Sequence, residues 1–498
     1  MTHDVTFTRS EYDNAIYAWT LVDDVCAGQE RVKSKEEAYL PKPNAADKGP
    51  ENAMRFKQYL ARAVFLNATG RTLAGMVGAV FDKEPTMQVP SALDYVEDDV
   101  DGSGVSIEQQ ARSCLSKILK CGRSGLLTDY PKVQGATSKA DQVSGKVRAN
   151  ILLIDAANIV NWRIEKIGAV YKLVLLVFKE SVSEASGFGV DVIDQYRVLR
   201  LEGGVYTQEI YRKNKKEWVL FEEPIIILNG SGGSWSEIPF TFVGANNNDA
   251  TIDPSPLYDM AEVNIAHYRN SADYEDSVYF CGQVQPWMSG LSEEWRDWMQ
   301  ETGIFIGSRA PILLPAGGSF GMEQAQPNTM AKEAMDQKQD QMVGLGARVV
   351  QPGSVAKTAT EAAGDQSVQH SVLSLAAANV ASAYQKALGW AVEFMNITGE
   401  VEFSLNQDLS NQEMSAQDIT AWIAAVQSGH LPKTDFWQRL RAAEYIDPSK
   451  TDEEIREELD SDDSGLELDD VPVVMGATDD RDVDHDLIQG NLPQNRMT

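Results

Sequence analysis

From Glu51 the segment ENAMRFKQYLARAVFLNATGRTLAGMVGAVF places apolar residues at every third or fourth position, the spacing of one helix face, and it stops at DKEP, where Pro85 disfavours further helix. The pattern predicts a break near Gly70. A second helix is expected over SIEQQARSCLSKILKCG, with Ser106 capping its start and Gly122 its end. The period then drops to two. ILLIDAANIVNWRIEKIGAVYKLVLLVF and DQYRVLRLEGGVYTQEIYRK are rich in Val, Ile, Tyr and Leu, and Gly203-Gly204 stands between two alternating runs as a hairpin turn should. Residues from about Ile151 to Val243 read as a largely antiparallel sheet.

Pro254 to Phe280, PSPLYDMAEVNIAHYRNSADYEDSVYF, predicts a helix of about seven turns. Only Leu257, Ala261, Ile265, Tyr268 and Ala272 fall near one stripe, and Asp259, Glu262, Asn264, Arg269, Asn270, Asp273 and Asp276 occupy the rest. Such a helix is expected to pack along a narrow seam. Between Cys281 and Pro327, WMSGLSEEWRDW reads as a short helix and GIFIGSRAPILLPAGGSFGMEQ as short strands broken by Gly and Pro. NTMAKEAMDQKQDQMVGLGA is helical and polar round most of its circumference, so two polar helices bracket one small β-containing module. RVVQPGSVAK is a loop, and Thr358 to Met395 is a long Ala-rich helix whose Thr358 and Glu361 fit a capping box. VEFSLNQDLS reads as a strand, and AQDITAWIAAVQSG and TDFWQRLRAAEYI as two short helices. The first fifty residues end in YLPKPNAADKGP, which reads as an arm or linker.

Charge changes this picture. The net charge is -30 over 498 residues, which argues against a broad basic nucleic-acid grip. Sixteen Asp or Glu lie between Asp452 and Asp486, against Arg456 and Arg481, so the body is only moderately acidic and the tail beyond Asp460 is expected to be disordered. Cys26, Cys114, Cys121 and Cys281 show no disulfide or zinc spacing and read as core thiols in a reducing compartment. The N-terminus lacks a signal core, and the longest apolar run, YKLVLLVF, is too short to span a bilayer. A soluble protein made in the cytosol is expected, with no membrane contact.

Catalytic signatures are missing. No GxxxxGK[ST], HExxH or suitably placed GxGxxG occurs. NGSGGSW, from Asn229 to Trp235, reads better as a turn than as a phosphate cradle. Carboxylate pairs such as Glu275 and Asp276 read better as a solvated face than as acid and base. The helices around GHLPKTD are joined by a connection longer than the helix-turn-helix turn and read as a packed hairpin.

In order along the chain, YLARAVFLNATGRTLAGMVGAVFDKEP, PSPLYDMAEVNIAHYRNSADYED, TATEAAGDQSVQHSVLSLAAANVASAYQKAL and AWIAAVQSGHLPKTDFWQRL resemble the portal proteins of tailed bacteriophages, from roughly Glu51 to Leu459. The resemblance implies an α+β, portal-like fold: a mixed helical and β wing, a two-helix stem, a small β-containing clip and an α-helical crown. On that mapping residues 1–48 are an N-terminal arm, 49–253 the wing, 254–281 the first stem helix, 282–327 the clip and 328–347 the second stem helix. Residues 348–357 are a channel loop, 358–405 a long helix and strand returning to the wing, 406–460 the crown, and 461–498 the acidic tail.

The implied function is a ring of typically twelve copies at one capsid vertex of the virion, a channel for DNA packaging and ejection with no catalytic site or cofactor of its own. Implied partners are double-stranded DNA passing without sequence preference, the large terminase subunit, the head-tail adaptor, and the major capsid and scaffold proteins. Repetition turns each residue into a ring of charge, so Lys332, Lys338, Arg348, Gln351 and Lys357 become candidate channel residues, and Trp295, Arg296, Trp298 and Arg309 candidate clip contacts. The competing expectations are another phage assembly component without an axial channel, and a soluble acid-base hydrolase with carboxylates on the sheet.

Overall fold

The computed structural model describes residues 4–130, 147–303, 314–324, 329–346, 359–407, 416–428, 431–442, 445–447 and 450–461. The chain divides into two units, Met1–Ser410 and Asn411–Thr498.

The first unit opens with helices α1 (Ser10–Ala27) and α2 (Gln29–Ser34). This corrects the expectation of an arm over residues 1–48, because Trp19, Leu21, Val22, Val25, Val32 and Leu40 are buried in the core. The helix escaped notice because a carboxylate interrupts its apolar face: Asp24 is buried and accepts hydrogen bonds from Tyr39 Oη at 2.7 Å and Arg31 Nε at 2.6 Å, with Lys35 Nζ at 3.0 Å. A buried charge held by three partners behaves locally as core.

Helices α3 (Pro50–Arg62) and α4 (Ala68–Val80) follow. The break between them comes before Gly70, because the Asn67 side chain caps α4 by accepting the Gly70 N–H at 2.9 Å and so puts Gly70 inside the first turn. After strand β1 (Thr86–Gln88), helix α5 (Ile107–Cys121) carries a complete Ser106–Gln109 capping box and ends at Gly122 in the left-handed conformation. A side chain on Gly122 would also meet the Asp253 carbonyl oxygen at 2.1 Å.

Strands β2 (Arg123–Asp129), β3 (Asn150–Asp155), β4 (Ile159–Ile167), β5 (Val170–Ser186), β6 (Gly189–Glu202), β7 (Val205–Asn214), β8 (Glu217–Leu220), β9 (Ile225–Ile226) and β10 (Phe240–Gly244) form two antiparallel sheets. One has the order β10-β2-β3; the other runs β4-β5-β6-β7-β8, with β9 also pairing β7. Gly203 and Gly204 both have positive φ and join β6 to β7 as the Gly-Gly pattern predicts. Strand β2 shows no alternation because it is buried on both faces. Asn229–Trp235 makes a turn closed by Asn229 N–H to the Gly233 carbonyl at 2.9 Å.

Helix α6 (Tyr258–Cys281) leads to strand β11 (Val284–Ser289), helix α7 (Glu293–Thr302) and strand β12 (Ser319–Gln324), and helix α8 (Met330–Gly344) returns. The long helix α9 (Ala359–Phe394) then packs Ala376, Ala377, Val380, Tyr384 and Leu388 into the core, with the Tyr384 hydroxyl on Gln110 at 3.0 Å. Strand β13 (Glu402–Ser404) pairs with β1.

The second unit contains α10 (Ala416–Gln427), α11 (Lys433–Ala442) and α12 (Asp452–Ser461). Trp422 stacks on Phe436 with ring centres 6.4 Å apart. The acidic run that forms α12 falls within the region mapped as helical crown, although no apolar period marks it as a separate helix. Thr451 and Glu454 start it with reciprocal capping bonds of 3.3 and 2.8 Å, which place acidic residues on the favourable end of the helix dipole. The class is α+β. The acidic tail beyond this helix, the channel loop at 348–357 and the Thr358 cap lie outside the described residues.

Candidate module on a helix pair

Helix α6 has two halves with different surroundings. Up to Ala272 it is embedded: the five expected stripe residues are buried, and so are Met260, Asn264, His267 and Ser271. The seam is therefore wider than apolar counting suggests, and several polar positions face protein. Asn264 donates to the Leu66 carbonyl at 2.8 Å and accepts from Thr69 N at 3.2 Å and Thr69 Oγ1 at 3.0 Å. Ser271 Oγ donates to the Val64 carbonyl at 2.5 Å and accepts from Val64 N at 3.1 Å. These bonds serve the break between α3 and α4, whose chain ends would otherwise leave backbone groups unpaired.

Beyond Ala272 the helix leaves the core and is held on one face by side chains of α3. Tyr59 Oη donates to Asp273 at 2.6 Å and Arg62 to Asp276 at 2.5 Å. The Arg62 guanidinium also lies over the Tyr279 ring at 4.3 Å, and that of Arg55 over Phe280 at 5.9 Å. On another face α8 packs back along α6, and Met342 joins Met260 and Ala68 in a small buried cluster.

The module carried by this pair has no buried residue in β11, α7 or β12. The two strands pair from Val284–Gln324 to Ser289–Ser319. Gly321 is required opposite Trp287, since a side chain there would come within 2.6 Å of the indole. Ser292 caps α7 by accepting the Trp295 N–H at 3.4 Å. Val284, Trp287, Trp298 and Met322 are exposed.

The structure brings three of the sequence-derived contact residues together on α7. Trp295 and Trp298 meet edge-to-face at 5.3 Å, and Arg296 lies 3.8 Å from Glu293 with both side chains exposed. Lys332 is exposed on α8, whereas Lys338, six positions on, is half-buried with its Nζ 3.5 Å from the Ala334 carbonyl, so the two do not share one face. Arg309, Arg348, Gln351 and Lys357 lie outside the described residues. Sequence reasoning missed Val284, Trp287, Met322 and His267; the alternation of VQPWM was the available signal for the first two.

His267 is buried and its Nδ1 meets no hydrogen-bond partner among the described residues. Burial, then the Lys338 charge, holds its pKa below the ordinary 6.5, with Asp336 opposing.

A cleft of about 850 Å³ lies elsewhere, lined by Arg9, Glu11, Trp162, Asp253 and Ser255 among others. Two of its three carboxylates are committed: hydrogen bonding from Arg9 holds Glu11 down to about 2, and Asp253 accepts the Asn246 and Asn247 N–H groups at 2.7 and 3.2 Å. Burial pushes the Cys114 thiol up to about 12, the state of an inert core cysteine. Among the described residues no cluster of three His, Cys, Asp or Glu could hold a metal ion, and no helix is long and apolar enough to cross a membrane.

A family model described as a domain of unknown function (DUF4055) matches residues 256–395, which span α6, the module, α8 and α9. No curated protein matches the chain. Among solved structures, a chain from the neck of a native GTA particle computed with C12 symmetry is similar at 12% identity and TM-score 0.39, covering 81% of this chain and 96% of that one. A chain from the neck of an empty GTA particle computed with C6 symmetry is similar at 11% identity and TM-score 0.38, covering 82% and 97%.

Two outcomes follow. Asn264→Ala is expected to destabilise the first unit by about 2–3 kcal/mol, because it leaves the Leu66 carbonyl and the Thr69 donors unmatched in the interior; urea denaturation measures this. His267 has its pKa depressed on folding, so its stabilising contribution is full above pH 6.5 and falls as pH drops through that value toward the folded pKa. His267→Gln is expected to flatten the decline in melting temperature between about pH 6.5 and 5.

Proposed function

We propose that this chain is the subunit of a portal-type ring, a homo-oligomeric conduit for double-stranded DNA that has no catalysis of its own and works with a separate packaging motor. The observation that carries this reading is the module on α6 and α8. It has two strands, a helix and four exposed large apolar side chains, yet buries none of them within its own chain. A two-stranded sheet that buries no residue of its strands among the described residues is marginal in water, so neighbours are expected to complete it. A ring places copies of the module side by side around an axis, and the Trp295–Trp298 pair of α7 then repeats as a band that docking partners meet.

The polar surfaces of α6 and α8 beyond the core fit the same reading, since such helices pack by short seams and leave the remainder to water. An acidic chain also suits passage of DNA, because tight phosphate binding at every step would arrest sliding. Lys332 and any basic residues of the 348–357 loop would supply only weak, sequence-blind contacts. The terminase, the head-tail adaptor and the capsid and scaffold proteins are the partners this reading implies.

Native mass measurement of the purified chain, with negative-stain images, tests the proposal. Closed rings of about twelve copies with a central hole are expected. A chain that remains a monomer in the presence of scaffold and capsid protein sinks the reading.

A further inference from the structure

The larger sheet carries a feature the module does not explain. Strand β4 pairs with β5 only as far as Phe178, and β7 pairs with β6 only from Gln195. Residues 181–194 of β5 and β6 therefore continue alone as a two-stranded ribbon, paired only to each other from Ser181–Asp194 to Ser186–Gly189. Its base is tied down: Glu180 meets Arg197 and Gln195, Glu184 meets Arg212 at 2.7 Å, and Asp194 accepts from Ser181 at 2.7 Å.

Its tip is bare. Phe188 is fully exposed, and Val190 and Val192 are about two-thirds exposed. Because directly opposed residues share a face, Ala185, Val190 and Val192 lie on one side. A ribbon with apolar residues at its end and both backbone edges open is poorly stable by itself and invites pairing.

The same sheet offers a receiver of opposite sign. Strand β8 is its edge, paired on one side with β7 only, and exposes Val219 and Leu220, with Phe221 just beyond. The turn leading into it exposes Lys213, Lys215 and Lys216, against the single carboxylate of Glu217; Glu222 and Glu223 lie past Phe221 at the other end. The ribbon brings Asp191 alongside its apolar tip, while Glu184 is held on Arg212 and Asp194 on Ser181 of the same chain. An acidic, apolar ribbon and a basic, apolar edge are thus two different patches of one sheet.

We infer that the tip of the ribbon, residues 184–192, docks on the β8 edge of a second copy of this chain, with Phe188, Val190 and Val192 against Val219, Leu220 and Phe221, and with Asp191 toward Lys215 and Lys216. The contact is head-to-tail, since each copy gives a ribbon and receives one, and such contacts propagate until rotation closes a ring. Strand addition to an open edge supplies main-chain bonds and the alternate side chains supply register. The inference rests on the ring reading and names one interface for it.

The test uses the full-length chain. Asp191→Lys in one variant, and Lys215→Glu with Lys216→Glu in another, are each expected to raise the concentration for half-assembly about tenfold, as loss of the two Asp191–lysine pairs would. Combining all three substitutions in one chain is expected to restore assembly, a result that misfolding cannot produce. Phe188→Cys with Leu220→Cys in one chain is expected to give an oxidised ladder of linked copies on a denaturing gel. If the wild type forms rings and both charge variants form them at the same concentration without a ladder, the inference falls and the ring reading stands. A wild type that never assembles overturns both.

Discussion

The α3–α4 break, Ala63 to Asn67, is a stretch of non-helical backbone set against the core, and its polar groups are met by side chains of α6 together with Gln29 of α2. Two helix ends meet there, each with backbone groups that its own helix cannot pair. Asn264 and Ser271, seven positions apart and so on one face of α6, reach Leu66, Thr69 and Val64. Each buried bond contributes only about 1 kcal/mol when made, but leaving either partner unmatched costs more. The bonds therefore act as a register: rotating α6 by one residue would mismatch both ends. That register fixes where α6 leaves the core at Ala272, and with it the direction along which Tyr59, Arg62 and Arg55 take over and the position of the module beyond.

This explains which parts of the fold the sequence makes legible. Elements whose burial is apolar and periodic show plainly: α5 with its cap, the alternating strands, the Gly203–Gly204 hairpin and the long α9. Three elements hide for physical reasons. Helix α1 buries Asp24 among three partners, so its stripe reads as broken; β2 is covered on both faces and loses its alternation; α12 begins with a capping pair inside what reads as an acid run. In α6 the stripe residues are visible, whereas Asn264 reads as solvent-facing and nothing local marks His267 or Ser271 as buried. Hydropathy cannot distinguish a polar side chain in water from one bonded to a distant break, because the partner lies about 200 residues away in sequence. The module follows the same logic. Trp295 and Trp298 stand out by type, and nothing local marks Met322 as their exposed companion.

Electrostatics then sets a condition on self-association. At -30 per chain, copies repel at long range, and at physiological salt the repulsion fades over about 8 Å. Association must therefore come from short-range contacts that bury apolar surface and place the scarce basic groups where a neighbour is acidic. The chain has 44 Lys and Arg against 74 Asp and Glu, and many of the arginines are spent within the fold, as Arg62, Arg197 and Arg212 are on Asp276, Glu180 and Glu184. Exposed lysines gathered at a single turn, beside an open apolar strand edge, are thus unusual in this molecule. Their position at a sheet edge, away from the acidic ribbon tip, separates donor and receiver. A self-complementary patch would close a pair of copies and stop; two separated patches leave every added copy with one surface still to fill, and growth ends only when the last ribbon meets the first edge.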